Sequence, residues 1–354
     1  MKICILGDTH HGMRDDSPIF HELYKKFYLE TLFPYLEEHG IDTIVQLGDL
    51  FDRRKYINFL SLKLCREYFF DEIEKRGFTL HTLIGNHDIF YKNTLAVNST
   101  QLLLGGYSNI IIHDKPTTVK FDDLEFDMVP WVCNENENEI VDFISKSKSD
   151  FCAGHFELSG FEMDRGNFCH DGWDSAKLSR YETVFTGHFH HRSINGNIFY
   201  VGSPGEMTWA DYEDPRGFHI FDTATRDIEF IENPHTIYRK YTYNDSKIFF
   251  DELDQFNFEQ FRSKYVKIIV ESRSNAFLFE TFIDRLLKVK PADVSVVEDF
   301  TEAVGTEEIH KVDQADDTIT ILDKYVDTIE VPLNKAKLKS IIKDVYLEAL
   351  TVET

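Results

Sequence analysis

The sequence predicts an α/β fold built in layers. Three observations carry that expectation. Apolar runs at 2–6, 42–47 and 78–84 each end in a Gly-containing polar turn, and helix-spaced apolar residues separate them. A more strand-rich stretch then repeats the device of an apolar run closed by glycine and a polar side chain. Beyond about residue 240 the pattern changes again, to a small β-α-β unit.

In order along the chain, Ile3-Cys4-Ile5-Leu6 is continuously apolar, as a central parallel strand buried on both faces should be. It runs into Gly7-Asp8-Thr9-His10-His11-Gly12. Phe20, Leu23, Phe27, Leu32 and Leu36 mark a helix over 19–39, with Gly40 as its C-cap. The second strand, 42–47, ends in Gly48-Asp49-Leu50-Phe51-Asp52, followed by Arg53-Arg54-Lys55. A helix over 59–75 stops near Gly77, and the third strand, 78–84, ends in Gly85-Asn86-His87-Asp88. Strands are expected at 110–112, 117–121 and 124–129, the last two as a hairpin around Asp122-Asp123, then a helix over 136–147. Residues 150–153 lead to Gly154-His155, and 183–186 lead to Gly187-His188-Phe189-His190-His191. Short strands follow at 192–201, 217–222 and 228–232. This gives two sheets with helices outside. The unit beyond 240 reads as strand 264–270, helix 275–290 and strand 293–297.

A chain of 354 residues exceeds one average core, so more than one domain is expected. The divisions read here are 1–240, 241–300, an acidic linker at 301–332 and an amphipathic helix at 333–354. Leu333, Leu338, Ile341, Ile342, Val345, Tyr346 and Leu350 make one apolar face of that helix. No apolar run is long enough to span a bilayer, and the first residues turn polar too soon for a signal peptide. Cys4, Cys65, Cys133, Cys152 and Cys169 contain no Cys-x-x-Cys pair and read as buried thiols in a reducing cytoplasm. A net charge of −24 excludes passive nucleic-acid binding through an overall basic surface. An anionic polymer would need local patches, bound metal or a partner.

The chemistry lies at the strand ends. Five apolar runs close on metal-capable side chains: Asp8 and His10, Asp49, Asn86 and His87, His155, and His188 and His190. A lone histidine at a strand end is an ordinary turn residue. Five such turns on one sheet edge instead describe a site. The donors are nitrogen and oxygen without thiolate, which suits borderline-hard ions such as Mn²⁺, Fe²⁺ or Zn²⁺. Eight candidates exceed the needs of one open site and match two ions sharing Asp49, the arrangement that clamps both oxygens of an in-line phosphoryl displacement.

Asp8-x-His10, Gly48-Asp49-x-x-Asp52, Gly85-Asn86-His87-Asp88, Gly154-His155 and Gly187-His188-x-His190 resemble, in order, the five signature motifs of the calcineurin-like metallophosphoesterases. The Gly-Asp-Leu-Phe-Asp form further resembles the SbcD-type double-strand-break repair nucleases of bacteria and T-even phages. The motifs span residues 8 to 190. This resemblance implies a four-layer α/β/β/α domain, a small α+β capping domain that binds DNA, and a C-terminal helix docked on an SMC-like ATPase of the SbcC type. It implies an Mn-dependent exo- and endonuclease, with Mg as the other candidate metal, acting in DNA recombination, repair and replication. A homodimer within a heterotetramer, in the host cytoplasm if phage-encoded, is implied as well. By motif, Asp8, His10 and His190 would hold one ion and Asn86, His155 and His188 the other, with Asp49 between them. His87 would face the scissile phosphate, and Asp52 would orient His87. His11 and His191 fall outside the motifs. Arg53-Arg54-Lys55 would contact phosphates, and Gly202-Ser203-Pro204-Gly205-Glu206 would shape the floor of the site. A phosphomonoesterase or protein phosphatase on the same fold is the first competing reading. Arg54 stands against it, because the protein phosphatases carry glycine there. A non-catalytic scaffold is the second, and here no catalytic histidine is missing.

Overall fold

The structure, a computed structural model, describes residues 1–164, 167–246 and 250–298, together with Lys335, Lys337 and Lys339. Strands β1 (Lys2–Leu6), β2 (Thr43–Gln46), β3 (Thr79–Leu83) and β4 (Ile110–His113) alternate with helices and pair in parallel. The chain then builds a second sheet. It comprises the hairpin β5 (Thr117–Phe121) and β6 (Leu124–Val129), then β7 (Phe151–His155). A two-stranded ribbon, β8 (Glu162–Asp164) and β9 (Asn167–Phe168), leads to β10 (Thr183–Gly187) and the hairpin β11 (Ser193–Asn195) and β12 (Ile198–Tyr200). It returns to the first sheet as the hairpin β13 (Gly217–Asp222) and β14 (Ile228–Glu232), with β13 antiparallel to β1. The orders are β14-β13-β1-β2-β3-β4 and β11-β12-β10-β7-β6-β5.

Alternation along the central strands sets the layers. Ile3 and Ile5 of β1, Val45 of β2 and Leu83 of β3 meet Phe126, Met128, Phe151, Ala153 and Phe185 of the facing sheet. Cys4, Leu6 and Ile44 point the other way, into the aromatic core beneath the helices at 18–38 and 59–76. Val129, Cys152 and Val184 do the same on the far side, under the helix Glu137–Lys146. The result is α/β/β/α. Phe221 of β13 locks the two sheets, its ring lying 5.2 Å from Phe151 and 5.6 Å from both Phe126 and Phe185. Each such buried ring contributes roughly 1.5–3 kcal/mol. All five cysteines are buried free thiols.

A third sheet, β15 (Tyr238–Asn244), β16 (Tyr265–Ser272) and β17 (Asp293–Glu298), carries the helix Ala276–Lys288 and has its own core around Phe258, Phe261 and Phe282. It begins at Tyr238, before the change in sequence texture, and Met1–Val297 clusters as one compact unit. The stretch 192–201, expected as one strand, is the hairpin β11–β12, turned at Gly196 with φ +60°. Glu298–Thr354 is a second unit, in which Lys335, Lys337 and Lys339 are helical. The expected linker and the rest of the expected partner helix lie outside the described residues.

Candidate metal centre

The carboxyl ends of β1, β2 and β3 in one sheet, and of β7 and β10 in the other, meet at a single edge. The candidate side chains project from the turns there, or for His155 from the last residue of β7, and three of them do so from a left-handed backbone: His10 (φ +41°), Asp49 (+53°) and His188 (+88°). Non-glycine residues rarely adopt that region, and clusters of them mark functional sites. Two glycines leave the room. A Cβ on Gly85 would stand 2.2 Å from Asp49 Oδ1, and one on Gly48 would stand 2.6 Å from His155 Nδ1.

The donors converge in three overlapping groups: Asp8, His10 and His190; His10, Asp49 and His87; and Asp49, His155 and His188. Within each group, one ligand atom per residue lies within 4.8 Å of the others. His10 Nε2 is 3.1 Å from His190 Nε2 and 3.6 Å from Asp49 Oδ2, and His190 Nε2 is 3.7 Å from Asp8 Oδ2. Asp49 Oδ2 is also 3.4 Å from His155 Nε2. Asn86 Oδ1 lies 2.9 Å from His155 Nε2 and 2.8 Å from His188 Nδ1. One oxygen of Asp49 therefore faces both halves of the cluster. The other, Oδ1, accepts the His87 N–H at 2.7 Å.

The hydrogen bonds fix tautomers. His155 Nδ1 donates to the Leu47 carbonyl at 2.7 Å, which turns Nε2 inward. In neutral His155 that nitrogen is a bare lone pair aimed at Asn86 Oδ1, an acceptor against an acceptor. Turning the Asn86 amide over would instead let it donate to both imidazoles and accept from Arg54 Nη2 at 3.1 Å. Turned over, the amide satisfies all of these partners by itself; a bound cation would instead favour the oxygen facing inward. The electrostatics ask for the same charge. Burial alone would lower His155 and His10. The carboxylates of Asp49 and Asp8 raise His155 to about 9, and Asp52, Asp49 and Asp8 raise His10 to about 9. Burial and Asp49 push Asp8 up to about 7, whereas Asp49 is held well below the usual range, mainly by His155, against its own burial. Burial and His155 push His188 down to about 3, and burial and His10 hold His190 well below its ordinary value, so each stays neutral with one ring nitrogen free to offer a lone pair. A mixed N/O set that needs added positive charge fits divalent metal.

Asp52 divides its oxygens. Its backbone carbonyl accepts His87 Nδ1–H at 2.6 Å, while its carboxylate Oδ1 stands 3.4 Å from His10 Nδ1. The carboxylate therefore backs His10, and the main chain orients His87. His11 points away, into Tyr24, Tyr28, Phe51, Tyr68, Phe69 and Phe70, with its Nδ1 3.1 Å from the Tyr68 hydroxyl. His191 Nδ1 bonds Asp214 at 2.9 Å. Arg53 pairs with Asp15 and Asp16, and Arg54 is the basic residue placed against Asn86.

Three supporting residues were given no role by the sequence reading, although Asp88 lies within one of the motifs. Asp88, fully buried, accepts backbone N–H groups from Asp49 and Gly85 at 2.9 Å, Leu50 at 3.1 Å and Phe51 at 3.3 Å. Gln46 accepts from the Gly48 N–H and the Thr82 hydroxyl and donates to the Gly7 and Gly48 carbonyls. Arg216 donates to the His190 carbonyl. Asp88 and Gln46 carry a signal, each a polar residue directly against a ligand turn or inside an apolar run. Arg216 carries none.

Residues 1–192 match the calcineurin-like phosphoesterases, and the chain belongs to that family, whose members use divalent metals. Its relatives include Exonuclease subunit 1 of Enterobacteria phage T4, 36% identical over 334 residues that cover 93% of either chain. Among solved structures, an archaeal phosphodiesterase is 16% identical, with 66% of this chain and 99% of that one covered and a TM-score of 0.34. GAP50, the anchor in the inner membrane complex of Plasmodium, is 15% identical, with 66% and 85% covered and a TM-score of 0.42.

Proposed function

We propose that this chain is a two-metal DNA nuclease, exo- and endonucleolytic, working as one subunit of a complex with an SMC-like ATPase in the host cytoplasm. The observation that carries the reading is Asp49 Oδ2, which faces His10 at 3.6 Å in one half of the cluster and His155 at 3.4 Å in the other. DNA as substrate rests on the T4 relative, named an exonuclease subunit. That word also supports a partner, whose anchor would be residues 333–354. Among the described residues no helix is long and apolar enough to cross a membrane.

In this reading Asp8, His10 and His190 hold one ion, Asn86, His155 and His188 the other, and Asp49 both, with Mn²⁺ the favoured metal and Mg²⁺ the alternative. The ions would supply charge neutralisation for the phosphodiester and a water acidic enough to attack it. The chain supplies the rest. Asp52 backs His10 Nδ1 and keeps Nε2 turned inward. The Asp52 carbonyl holds the His87 Nδ1–H, so Nε2 would carry a proton to the leaving oxygen only in the imidazolium form, which burial disfavours and the negative phosphodiester would favour. Trp131, 5.1 Å from the His188 ring and 5.8 Å from His155, shields that side from water.

A homodimer would need an exposed apolar face on this domain. The helical run 18–38 spends its apolar residues on the core, while Phe59 is 90% exposed and Leu102 74%, beside a groove of about 240 Å³ rimmed by Arg53, Arg54 and Lys55. A contiguous apolar face of this kind is what a second copy would cover.

The test is His87→Asn, assayed on plasmid and hairpin DNA and on nitrophenyl phosphate with Mn²⁺. Metal content should persist while cleavage falls by at least about 100-fold. Survival of both would remove His87 from the mechanism. Monoester turnover without DNA cleavage by the unmodified protein would make it a phosphatase.

A further inference from the structure

His190 differs from the other candidate ligands in how it is held. His155 is fixed through its own ring nitrogen, and His188 and Asp49 through backbone N–H groups that bond Asp8 and Asp88. What fixes His190 is its carbonyl. That oxygen accepts the Ser203 N–H at 3.0 Å and Arg216 Nη1, and Nη1 also reaches Ser203 Oγ at 3.0 Å. The space is tight: a Cβ on Gly202, where φ is +73°, would lie 2.8 Å from the same carbonyl.

Arg216 is only 5% exposed and is aimed by two carboxylates, since Nη2 lies 2.6 Å from Asp211 Oδ1 and 2.6 Å from Asp214 Oδ2. Asp211 is itself anchored by the Met207 and Thr208 N–H groups at 2.7 and 2.9 Å. Asp214 also receives His191 Nδ1. Directly after Arg216 the chain enters β13, which pairs with β1, the strand that delivers Asp8. The guanidinium therefore ties the turn that carries His190 to the strand next to Asp8. A buried ion triad is a poor way to gain stability, because apolar residues of equal volume do at least as well. What it provides is a directed bond to one carbonyl.

We propose that Arg216 is the positioning residue of His190: by holding the His190 carbonyl it sets the imidazole against Asp8 and His10, and thereby the affinity of that half of the metal centre. The inference rests on the reading of His190 as a ligand.

The test titrates Mn²⁺ into metal-free full-length protein by calorimetry, with thermal melting of the metal-free form in parallel. Wild type should take two equivalents, and His190→Ala should lose one. Arg216→Gln should reproduce that asymmetry, with one equivalent within about twofold of wild type and the other weakened about 10- to 100-fold. Arg216→Lys, which keeps a donor for the carbonyl, should recover part of the loss. If Arg216→Gln does not fold, Asp214→Asn/Arg216→Gln removes one charge of each sign and serves the same readout. Unchanged binding of both equivalents overturns the proposal. So does equal weakening of both with a lowered melting temperature, which would make Arg216 a general brace. If His190→Ala itself keeps two wild-type equivalents, the ligand reading of His190 fails first and takes this proposal with it.

Discussion

Replacing Asp88 with Asn tests whether a buried carboxylate behind the cluster, outside every ligand group, holds Asp49, the candidate bridge, in place. Asp88 accepts four main-chain N–H groups, two on each oxygen: Asp49 and Gly85 on Oδ2, Leu50 and Phe51 on Oδ1. Burial and the Asp49 charge push its carboxyl upward, and the four donors favour the ionised form. An Asn side chain has one acceptor oxygen, so two N–H groups would face an NH₂ instead. Each buried donor left without an acceptor costs about 1–3 kcal/mol, giving a loss of about 2–6 kcal/mol. Domain stabilities are of order 5–15 kcal/mol, so this is a large fraction. The assay is urea denaturation in chelator, followed by Mn²⁺ titration. Stability should fall by that amount, and metal affinity should fall with it because the Asp49 backbone is released. A change under about 1 kcal/mol with unaltered Mn²⁺ affinity would refute the reasoning, since it would mean water replaces the lost acceptors at no cost.

Gly85→Ala puts a methyl 2.2 Å from Asp49 Oδ1 and 2.3 Å from its nitrogen, so Mn²⁺ affinity measured by calorimetry should drop at least about tenfold; near-wild-type binding would show that the turn yields. His81 and His113, buried and 3.1 Å apart, are each lowered by burial to about 4. The unfolded chain takes up these protons near 6.5, so stability is intact above that pH and is lost as pH falls towards 4, by up to about 3 kcal/mol per imidazole. His81→Leu/His113→Leu should flatten this acid limb in chemical denaturation between pH 6.5 and 4, and an unchanged limb would place the effect elsewhere. Phe59→Ser/Leu102→Ser should convert a dimer to a monomer by light scattering; a wild-type monomer at the same concentration would sink the second-copy assignment.

How much of this was legible in the sequence depends on where each residue's partners come from. Ile3, Ile5, Val45 and Leu83 announce a two-sided sheet because their pattern is local, and the layers follow from it. The candidate strand-end ligands are legible for a chemical reason: histidine, aspartate and asparagine beside glycine have few uses at the ends of five separate apolar runs. β15 was harder. Its Arg239, Lys240 and Thr242 are exposed, and its parallel partner β16 lies beyond a helix, so the segment reads as surface. Arg216 was not legible at all. A single arginine before a strand reads as solvated, and its role appears only once folding puts the His190 carbonyl, 26 residues away in sequence, against its guanidinium.

Asp88, given no role by the sequence reading, also explains how the centre tolerates its own backbone. His10, Asp49 and His188 are held left-handed, at a cost of about 1–3 kcal/mol each. Glycine would relax all three positions and delete three candidate ligands. At each, a specific acceptor takes the backbone N–H: the Asp49 carbonyl for His10 at 3.0 Å, Asp88 for Asp49 at 2.9 Å, and Asp8 for His188 at 2.9 Å. Two of those acceptors belong to candidate ligands themselves, so each turn braces another. Asp88, outside the ligand set, closes the chain of support. The strain is kept because the conformation that aims these side chains inward is also the one that presents their N–H groups to the carboxylates and the carbonyl at the same edge.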